Sequence, residues 1–591
     1  MKQNDKSSFT GLILMAAILI IFNVFVFNNT EEQIKEEKNK TEISEITSET
    51  EGIQDLKEVK IDSSNVVLEE FYILENNKIK LEFTNKGGEV KSAVIKGYYS
   101  YNEYKKNLDD NTYLSEDIEI FNNIDSKFGI TADRGVSTNE LFSTETGNNS
   151  ITFRKNFDNR SFIEYTYSLN EEDPYFVDFI INSEGISNPE LLWTIAAPVT
   201  EKSEINQEQY TGFYYQEDYT KDVDYTWDND EFEINEFSTE ISWIAFKQQF
   251  FSTIISAKNN NFNNGTEFKV LNNEEDQYIK TLSLRTELEE GENNYSLYFG
   301  PNDYNKLKSY DVGYENILPL GFMWIDTIVN KYVIIKLFNF LKNSAGIANF
   351  GIIILLLTLI IKFSLAPFTY KSYLSQAKMK VLKPEIDKIN EKHKEKDPMK
   401  AQQETMNLYR KAGVNPMGGC LPMLFQFPIL IAMFRFFPAS LDLRQNAFLW
   451  ADDLSAFDSI YNLGFEIPFY GDHISLFTLL MTVSTLMYTH MNSQMTSNQM
   501  PGMKWMMYLM PVMFLGFFNN YASALSYYYF LANIFTFSQM YFMRRFVDDN
   551  AILAQLEANK KKPAKKKSKF QKKLEEMQKK QEQQLKGKKK K

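Results

Sequence analysis

The sequence predicts a polytopic α-helical membrane protein with six spans and a large all-β sandwich domain outside the membrane. Three observations predict this fold class. One apolar run lies near the N-terminus, and five more follow residue 345. Between them lies a long acidic stretch with short runs of alternating residues. Lysine and arginine are concentrated in alternate connections between the apolar runs, which is the pattern that orients membrane proteins.

The first apolar run, Thr10 to Phe27, covers 18 residues and follows two lysines. A cleaved signal peptide is one interpretation, but no small-residue cleavage site follows the run. We therefore predict an uncleaved signal-anchor span over residues 1–30. Residues 31–61 are polar and charged with few aromatic side chains, so they are predicted to form a tether rather than a folded unit.

Residues 62–315 are predicted to form the β-sandwich domain. Runs that alternate or carry β-branched and aromatic residues, separated by Asn-, Gly- and Asp-rich turns, are typical of antiparallel strands. Such runs are residues 78–83, 162–167 and 176–182. Residues 28–318 hold 58 acidic and 26 basic side chains, a net charge of −32, whereas the whole chain carries −14. A chain divided in this way is expected to lie across two compartments.

A helix is predicted over residues 316–345, between the β domain and the second span. Apolar residues recur there at helical spacing, with Asp, Asn and Lys among them. This pattern favours an amphipathic helix that lies in the outer membrane interface. An ordinary amphipathic helix packed on the sandwich is equally compatible with it.

Five further spans are predicted at residues 347–367, 419–438, 474–491, 503–519 and 521–542. Little more than two asparagines separate the last two, so they are expected to form a tight antiparallel hairpin. Residues 369–415 carry eleven basic residues and the tail from Arg544 carries eighteen, whereas residues 439–473 carry one arginine against six carboxylates. The positive-inside rule then places both termini in the cytoplasm and residues 28–345 outside.

Two cytoplasmic segments are expected to bind partners. Residues 370–415 show helical periodicity on both sides of a break at 396–398, with Pro384 expected near a helix start or kink. We predict two antiparallel helices with a charged tip that contact something outside the bilayer; a merely solvated helical pair is the alternative. The Lys-rich tail, residues 544–591, has sixteen lysines from Lys560 onward. Such blocks bind anionic polymers or anionic lipids, although plain solubility also explains them.

The residue inventory argues against several classes of chemistry. Three histidines and a single cysteine, Cys420, do not make a metal cluster or an internal disulfide. The chain contains no Walker loop, no GxGxxG and no Gly-x-Ser-x-Gly elbow. We therefore expect neither an enzyme nor a cofactor site.

Lys362 is the most informative single residue, because it lies within the otherwise apolar stretch from Gly346 to Phe368. As a helix this stretch measures roughly 35 Å, enough to cross a bilayer. A cation inside it costs around 3 kcal/mol on insertion scales. Two interpretations follow: Lys362 faces a polar cavity, or its stem bends so that the ammonium reaches the interface near Phe368.

Several motifs from residue 346 onward resemble the YidC family of membrane protein insertases. They are Lys-Phe-Ser-Leu-Ala-Pro-Phe-Thr from Lys362, Gly-Val-Asn-Pro-Met-Gly-Gly-Cys-Leu-Pro from Gly413 and Gln-Phe-Pro from Gln426. Residues 83–88 and 243–251 are similar to the periplasmic domain of the Gram-negative members. In most bacterial members of the family, the residue that corresponds to Lys362 is an arginine. Lysine keeps the positive charge but lacks the planar fork of a guanidinium.

The resemblance implies a membrane protein insertase and folding chaperone with a five-helix core over residues 346–543. The core would enclose a hydrophilic groove, open to the cytoplasm, that holds nascent membrane proteins and releases their apolar segments into the inner membrane, with or without the Sec translocon. The implied partners are nascent membrane proteins, the ribosome (through residues 370–415 and the tail), the Sec translocon and anionic lipids.

The candidate site residues fall into two groups. Polar and aromatic residues of the spans are candidates for the substrate groove, although each alone is more often an interhelical hydrogen bond than a substrate contact. They are Lys362, Thr358, Gln426, Thr482, Ser484, Tyr527, Tyr528 and Asn533, with Gln539 on the same spans. The structural motif, which is expected to set the entry turn of the third span, comprises Pro367, Asn415, Pro416, Gly418, Gly419 and Pro422.

Other functional classes fit the sequence less well. A secondary transporter is expected to show an internal repeat, and none is visible. A membrane hydrolase or lipid transferase needs a convergent nucleophile, base or metal set, which the spans lack. A chaperone that acts only with the Sec translocon is the alternative that the sequence does not separate from an insertase.

Overall fold

The computed structural model describes residues 69–561 except 111–115, 123–125, 132–139, 159, 219–220, 227–231, 235–238, 264, 273–277, 394–397, 416–417, 419–420 and 496–500. The predicted signal-anchor span, the tether and the tail beyond residue 561 lie outside the described residues. Within the described part, an N-terminal β domain is followed by a helical region.

The β domain begins at Phe71, and several of its strands alternate buried and half-buried positions as the sequence predicts. The strands are β1 Phe71–Glu75, β2 Ile79–Thr84, β3 Glu89–Ile95, β4 Ile118–Phe121, β5 Lys127–Thr131, β6 Ser143–Thr146, β7 Ser150–Asn156, β8 Phe162–Leu169, β9 Phe176–Glu184, β10 Glu190–Pro198, β11 Gly212–Glu217, β12 Val223–Tyr225, β13 Phe232–Ile234, β14 Ile241–Lys247, β15 Phe251–Ala257, β16 Glu267–Asn272, β17 Tyr278–Glu287 and β18 Gly291–Pro301. Two short helices interrupt them, α1 Tyr101–Asp110 and α2 Glu204–Tyr210, and a third, α3 Tyr304–Ser309, follows the last strand.

These strands form antiparallel sheets that pack face to face. The orders are β1-β2-β3-β4, β13-β16-β17-β10-β5 and β12-β11-β14-β15-β18-β9-β8-β7-β6. Trp193 of the five-stranded sheet meets the edge of Phe128 at 5.4 Å and packs against Phe246 of the nine-stranded sheet at 5.2 Å. Burial of such aromatic side chains supplies most of the driving force for this fold. The prediction of a large β-sandwich is confirmed.

The helical region begins after residue 323. A continuous helical run comes first. It consists of α4 Trp324–Val329, a π-helical segment Asn330–Ile334, α5 Ile335–Asn339 and a second π-helical segment Phe340–Ser344. The following helices are α6 Phe350–Val381, α7 Lys383–His393, α8 Pro398–Ala412, α9 Leu421–Ala439, α10 Leu476–Met495, α11 Pro501–Asn519, α12 Ser523–Arg545 and α13 Asp549–Lys560. Between α9 and α10 lies a hairpin of β19 Tyr461–Ile467 and β20 Gly471–Ile474.

Five apolar helices, α6, α9, α10, α11 and α12, occupy the predicted spans and pack together. The helix α12 contacts α6, α9 and α10, and α10 also contacts α11. By length and composition, α6 is the one helix of the described residues that is long and apolar enough to cross a membrane. Shorter apolar helices cover Phe425–Ala439, Leu476–Met491 and Met507–Asn519.

The helical run from Trp324 to Ser344 packs on α9. The buried side chain of Asn330 donates to the carbonyl oxygens of Leu320 at 2.7 Å and Ala432 at 2.9 Å. Its other side exposes Trp324 and Tyr332. Helix is therefore present over Trp324–Ser344 of the predicted 316–345, and it packs chiefly on α9.

The segment 370–415 has more internal packing than its sequence suggests. Its first arm continues α6 as far as Val381, and Pro384 lies in the first turn of α7. Leu382 and Ile386 form a small core with Ile552 and Leu556 of α13. Part of the sequence read only as a lysine-rich tail thus folds back onto the helical hairpin.

Candidate functional site

Lys362 lies on α6 and points into the helical region. Its side chain is buried, with 7% of the residue exposed. The ammonium Nζ donates to Gln426 Oε1 on α9 at 3.2 Å and to Thr536 Oγ1 on α12 at 3.0 Å. Both partners are neutral, and none of the ion pairs among the described residues includes Lys362. The direction of the side chain is toward two neighbouring helices rather than along α6 to its end.

Neighbouring polar groups fix the position of this lysine. Gln539 of α12 donates from Nε2 to the backbone oxygen of Lys362 at 3.0 Å. Thr358, one turn earlier on α6, is fully buried and donates to the backbone oxygen of Ile354. Because residues four apart share a helix face, Thr358 and Lys362 face the same side of α6. Three helices therefore meet at one polar centre.

A second polar cluster joins α10 to α12. Asn533 Nδ2 donates to Ser484 Oγ and to Thr485 Oγ1, each at 3.0 Å. Thr482 is buried on the same helix as Ser484, and its hydroxyl oxygen has no hydrogen-bond partner among the described atoms. The structure thus brings Ser484 and Asn533 into direct contact, while Lys362 contacts Thr536, which lies three residues further along α12.

Tyr527 and Tyr528 lie near the start of α12, before the residues of that helix that contact Lys362. Tyr527 packs against Phe448 and Phe477, with ring centroids 5.1 Å apart in each case. Tyr528 is fully enclosed and lies 6.1 Å from the ring of Phe437. Eight residues separate Tyr528 from Thr536, about 12 Å along a helix. The structure therefore places these two tyrosines in aromatic packing and does not join them to Lys362.

The residues of the structural motif surround the start of α9. Pro367 lies inside α6, and Pro422 is the second residue of α9. Ser375 Oγ donates to the backbone oxygen of Asn415 at 2.8 Å. A Cβ at Gly418 would lie 2.7 Å from Ser375 Oγ, so this position requires glycine for close approach. Pro416 and Gly419 lie outside the described residues.

Thr536 is the partner of Lys362 that sequence analysis missed. It lies three residues after Asn533 and three before Gln539 on α12. Residues three apart lie on one side of a helix, so the spacing indicated that Thr536 lies beside Asn533 and Gln539, which were already candidates. Which other helix that side contacts is decided by tertiary packing, and hydropathy does not reveal it.

A junction of charged side chains connects the β domain to the segment between α9 and α10; we call Glu201, Lys202, Arg444 and Asp452 the domain junction. Arg444 Nε donates to Glu201 Oε2 at 2.8 Å, and both side chains are buried. Asp452 accepts from Lys202 and from the Tyr101 hydroxyl. Burial acts to raise the pKa of Asp452, but the charge and hydrogen bond of Lys202 outweigh it and hold the pKa below its ordinary value.

No group of three or more His, Cys, Asp or Glu side chains that could hold a metal ion is present in the described part of the chain. The polar centre at Lys362 offers hydrogen bonds and one positive charge. These groups can hold an anionic or hydrogen-bonding segment, and the described residues around them include no nucleophile and base in contact.

Comparison with known proteins defines the family. Residues 340–550 match the family described as 60Kd inner membrane protein, and residues 72–332 match the YidC periplasmic domain. A membrane protein insertase YidC from Parabacteroides distasonis is 39% identical over 540 residues, covering 84% of this chain and 81% of that protein. Insertases of the same description from Bacteroides fragilis and Amoebophilus asiaticus are 36% and 34% identical, each over 95% of this chain and over 95% and 96% of the relative.

The chain therefore belongs to the YidC family of membrane protein insertases. The resemblance read from the motifs is confirmed, and with it the class of protein: an inner membrane protein whose family acts on membrane proteins and is not enzymatic. Among solved structures, a galactose mutarotase related enzyme from Lactobacillus acidophilus covers 39% of this chain at 9% identity and a TM-score of 0.27, a likeness too low to carry an argument.

Proposed function

We propose that this protein inserts nascent membrane proteins by holding a polar client segment at Lys362 while the apolar segment enters the bilayer beside it. The observation that carries the proposal is the buried ammonium of Lys362, whose side-chain partners Gln426 and Thr536 are neutral. A buried cation without a described carboxylate partner attracts an acidic segment more strongly than a paired one.

The direction of this side chain favours the groove over a snorkelling lysine. Nζ is held by residues of α9 and α12, whereas a snorkelling stem runs along its own helix toward the interface. The energetics also favour passive insertion, because each apolar residue contributes roughly −0.3 to −0.6 kcal/mol at the centre of a span. An apolar segment of about 20 residues can therefore offset the cost of moving a short polar tail.

The proposal includes the topology and the domain roles. Residues 346–543 form a five-helix core, both termini lie in the cytoplasm, and residues 28–345 lie in the periplasm. The segment 370–415, braced by α13, contacts the ribosome, and the Lys-rich tail binds ribosomal RNA or anionic lipids. The packing of Ile552 and Leu556 on this hairpin supports a single preformed cytoplasmic surface.

The groove candidates take different parts in this proposal. Gln426, Thr536 and Thr358 line the polar centre around Lys362. Thr482, Ser484 and Asn533 provide a second polar surface between α10 and α12. Tyr527 and Tyr528 close the far end of the groove with their rings, which agrees with their burial among aromatic side chains.

Insertion into liposomes that contain only this protein tests the proposal. A single-span client with an acidic N-terminal tail is translated in their presence, and protease protection of the tail is measured. Lys362→Met removes the charge with similar bulk and is expected to abolish most of the protection, while Lys362→Arg retains it. Lys336→Met, an exposed lysine on α5, is the matched control and is expected to insert like wild type.

The outcomes separate the candidate functions. Equal protection by wild type and Lys362→Met would show that insertion does not use the ammonium. Another outcome is that wild type protects the tail no better than empty liposomes do until the Sec translocon is added. That result would favour the chaperone that acts only with the translocon.

A further inference from the structure

The hairpin formed by residues 461–474, between α9 and α10, exposes an apolar face that no part of the described chain covers. Its strand β19 carries four apolar side chains, Tyr461, Leu463, Phe465 and Ile467, and its pairing with β20 is irregular between Asn462 and Ile467. Tyr461 and Phe465 are each 63% exposed. A two-stranded hairpin with such a face is marginally stable in water without a partner.

The turn of this hairpin places another aromatic side chain in an unfavourable conformation. Tyr470 N–H donates to the Ile467 oxygen at 2.9 Å, which closes a four-residue turn with Pro468 and Phe469 at its centre. Phe469 has φ +65° and is 82% exposed. Glycine is the favoured residue at this position of the turn. Phenylalanine is strained there, and its ring has almost no contact within the protein that could compensate the strain.

The tip of the hairpin lies alongside the end of α11 rather than projecting beyond it. A Cβ at Gly516 would lie 2.4 Å from the Phe469 oxygen, so the turn backbone rests directly on the helix. Asn519, the last residue of α11, donates from Nδ2 to the oxygens of Tyr470 and His473, each at 2.9 Å. Gly516 lies three residues before Asn519, about 4.5 Å along the helix axis. The tip therefore reaches back beside the last turn of α11.

The exposed apolar surface of the hairpin continues onto α11. Val512 and Met513 are half-exposed and lie four and three residues before Gly516, on the side of the helix that the turn contacts. If α11 crosses the membrane as proposed above, its exposed apolar side is covered by lipid. A hairpin tip beside the last turn of that helix then lies at the depth of the outer leaflet.

We propose that the hairpin 461–474 inserts its aromatic face, with Phe469 at the tip, into the outer leaflet of the membrane and anchors the end of α11 there. This inference rests on the membrane placement in the proposed function. The occupant is lipid because the apolar face is continuous with a helix surface that faces lipid. The hairpin contains no lysine or arginine, so binding depends on apolar contact and not on anionic headgroups.

Site-specific fluorescence tests this placement in the full chain reconstituted in phosphatidylcholine vesicles. Cys420 is replaced by Ser, and single cysteines for an environment-sensitive label are introduced by Phe469→Cys, Phe465→Cys and Glu466→Cys. Glu466 is the matched control, since it is an exposed charged residue beside Phe465 on the same strand. Quenching is measured with lipids that carry a nitroxide on the upper acyl chain and with aqueous iodide.

We expect labels at 465 and 469 to be quenched several-fold more by the lipid nitroxide than the label at 466, and the order to reverse with iodide. Quenching of all three labels by iodide alone would overturn the proposal, because the hairpin would lie in water. Protection of 465 and 469 from both quenchers would also overturn it, since a second copy or another protein would cover the face.

Wild-type protein supplies a measurement that needs no substitution. A lipid with a photoreactive group on its upper acyl chain is expected to attach to residues 461–470, as mapped by mass spectrometry, and absence of adducts there would contradict lipid contact. Client insertion by the same vesicles is scored separately. Lipid contact without insertion would count against the proposed function alone, and insertion without lipid contact would count against the hairpin anchor alone.

Discussion

The β domain and the helical region place their apolar side chains in opposite ways. In the β domain, large rings such as Phe128 and Trp193 are enclosed. In the helical region, Phe363 is 66% exposed and Met487 and Met513 are more than half exposed, while Lys362 and Asn533 are buried. Water selects the first arrangement and a lipid solvent selects the second. One chain therefore contains two cores built for different solvents.

Two buried lysines show the same contrast. Lys247 of β14 donates to the backbone oxygens of Tyr210 at 2.7 Å and Gln248 at 3.3 Å, inside the closed β domain. Lys362 instead contacts two side chains that belong to separate helices. Backbone carbonyls of a packed domain do not move apart, whereas side chains between helices can exchange partners. This contrast supports the proposal that Lys362, rather than Lys247, exchanges its partners for a client segment.

The largest expected difference in the free energy of unfolding is between two Phe→Ala substitutions, one in each region. Phe128→Ala creates a cavity in the β core and is expected to lower the free energy of unfolding by about 3–5 kcal/mol. Phe363→Ala, at an exposed position of α6, is expected to change it by less than about 0.5 kcal/mol in detergent. Denaturant unfolding of both full-length variants measures the two values. Similar losses would mean that the exposed face of α6 is covered by protein.

The domain junction supplies the next test, because it joins the two regions through a buried ion pair. Arg444→Met leaves the Glu201 carboxylate buried without its cation, which is expected to cost about 3–5 kcal/mol. Arg285→Met is the control, since Arg285 pairs with Glu190 at the surface and such pairs contribute about 0–1 kcal/mol. Thermal unfolding and protease sensitivity of the 440–460 segment measure the effect. A loss no larger than that of the control would show that the junction is held by other contacts.

Lys247 predicts a pH dependence of the β domain. Burial, with a smaller contribution from Arg435, lowers the pKa of Lys247 to about 7 in the folded protein, whereas an unfolded lysine titrates near 10.4. Between these values the unfolded chain binds more protons at this residue. Stability from Lys247 is therefore lowest below pH 7 and rises with pH up to about 10.

A pair of unfolding measurements isolates this contribution. From pH 7 to pH 9, wild type is expected to gain on the order of 2 kcal/mol relative to Lys247→Met. Lys258→Met, which removes an exposed lysine of the same domain, is expected to follow wild type at both pH values. Parallel behaviour of wild type and Lys247→Met would mean that the buried amine does not titrate in this range.

Much of the fold could be predicted from the sequence, because the patterns that decide it are local. Alternation predicted the strands around residues 78–83, 162–167 and 176–182, and hydropathy predicted helices where α10, α11 and α12 occur. The turn between α11 and α12 covers residues 520–522, directly after Asn519, where the two asparagines indicated it. The continuation of α6 to Val381 was not predicted, since its last two turns are polar and bury only a few side chains.

The contacts of the candidate site could be predicted only in part, because they depend on how helices are rotated against one another. The sequence identified Lys362 and Gln426 as candidates, and the structure joins them. Thr536 was missed, and Tyr527 and Tyr528 were grouped with Lys362 although about 12 Å of helix separates them from Thr536. The Arg444–Glu201 pair links residues 243 positions apart, and no local pattern reports such a contact.

The smallest expected effect lies in the polar interior of the helical region and tests whether that interior behaves like a membrane protein core. Asn533 donates to both Ser484 and Thr485, so Asn533→Ala removes two interhelical hydrogen bonds and Ser484→Ala removes one of them. Interhelical hydrogen bonds in membrane proteins average about 0.6 kcal/mol in double-mutant cycles. We expect a coupling energy of about that size between Asn533 and Ser484 in reconstituted protein. A coupling above about 2 kcal/mol would indicate a dry and rigid contact, as in the β domain, and would argue against a groove that opens between α10 and α12.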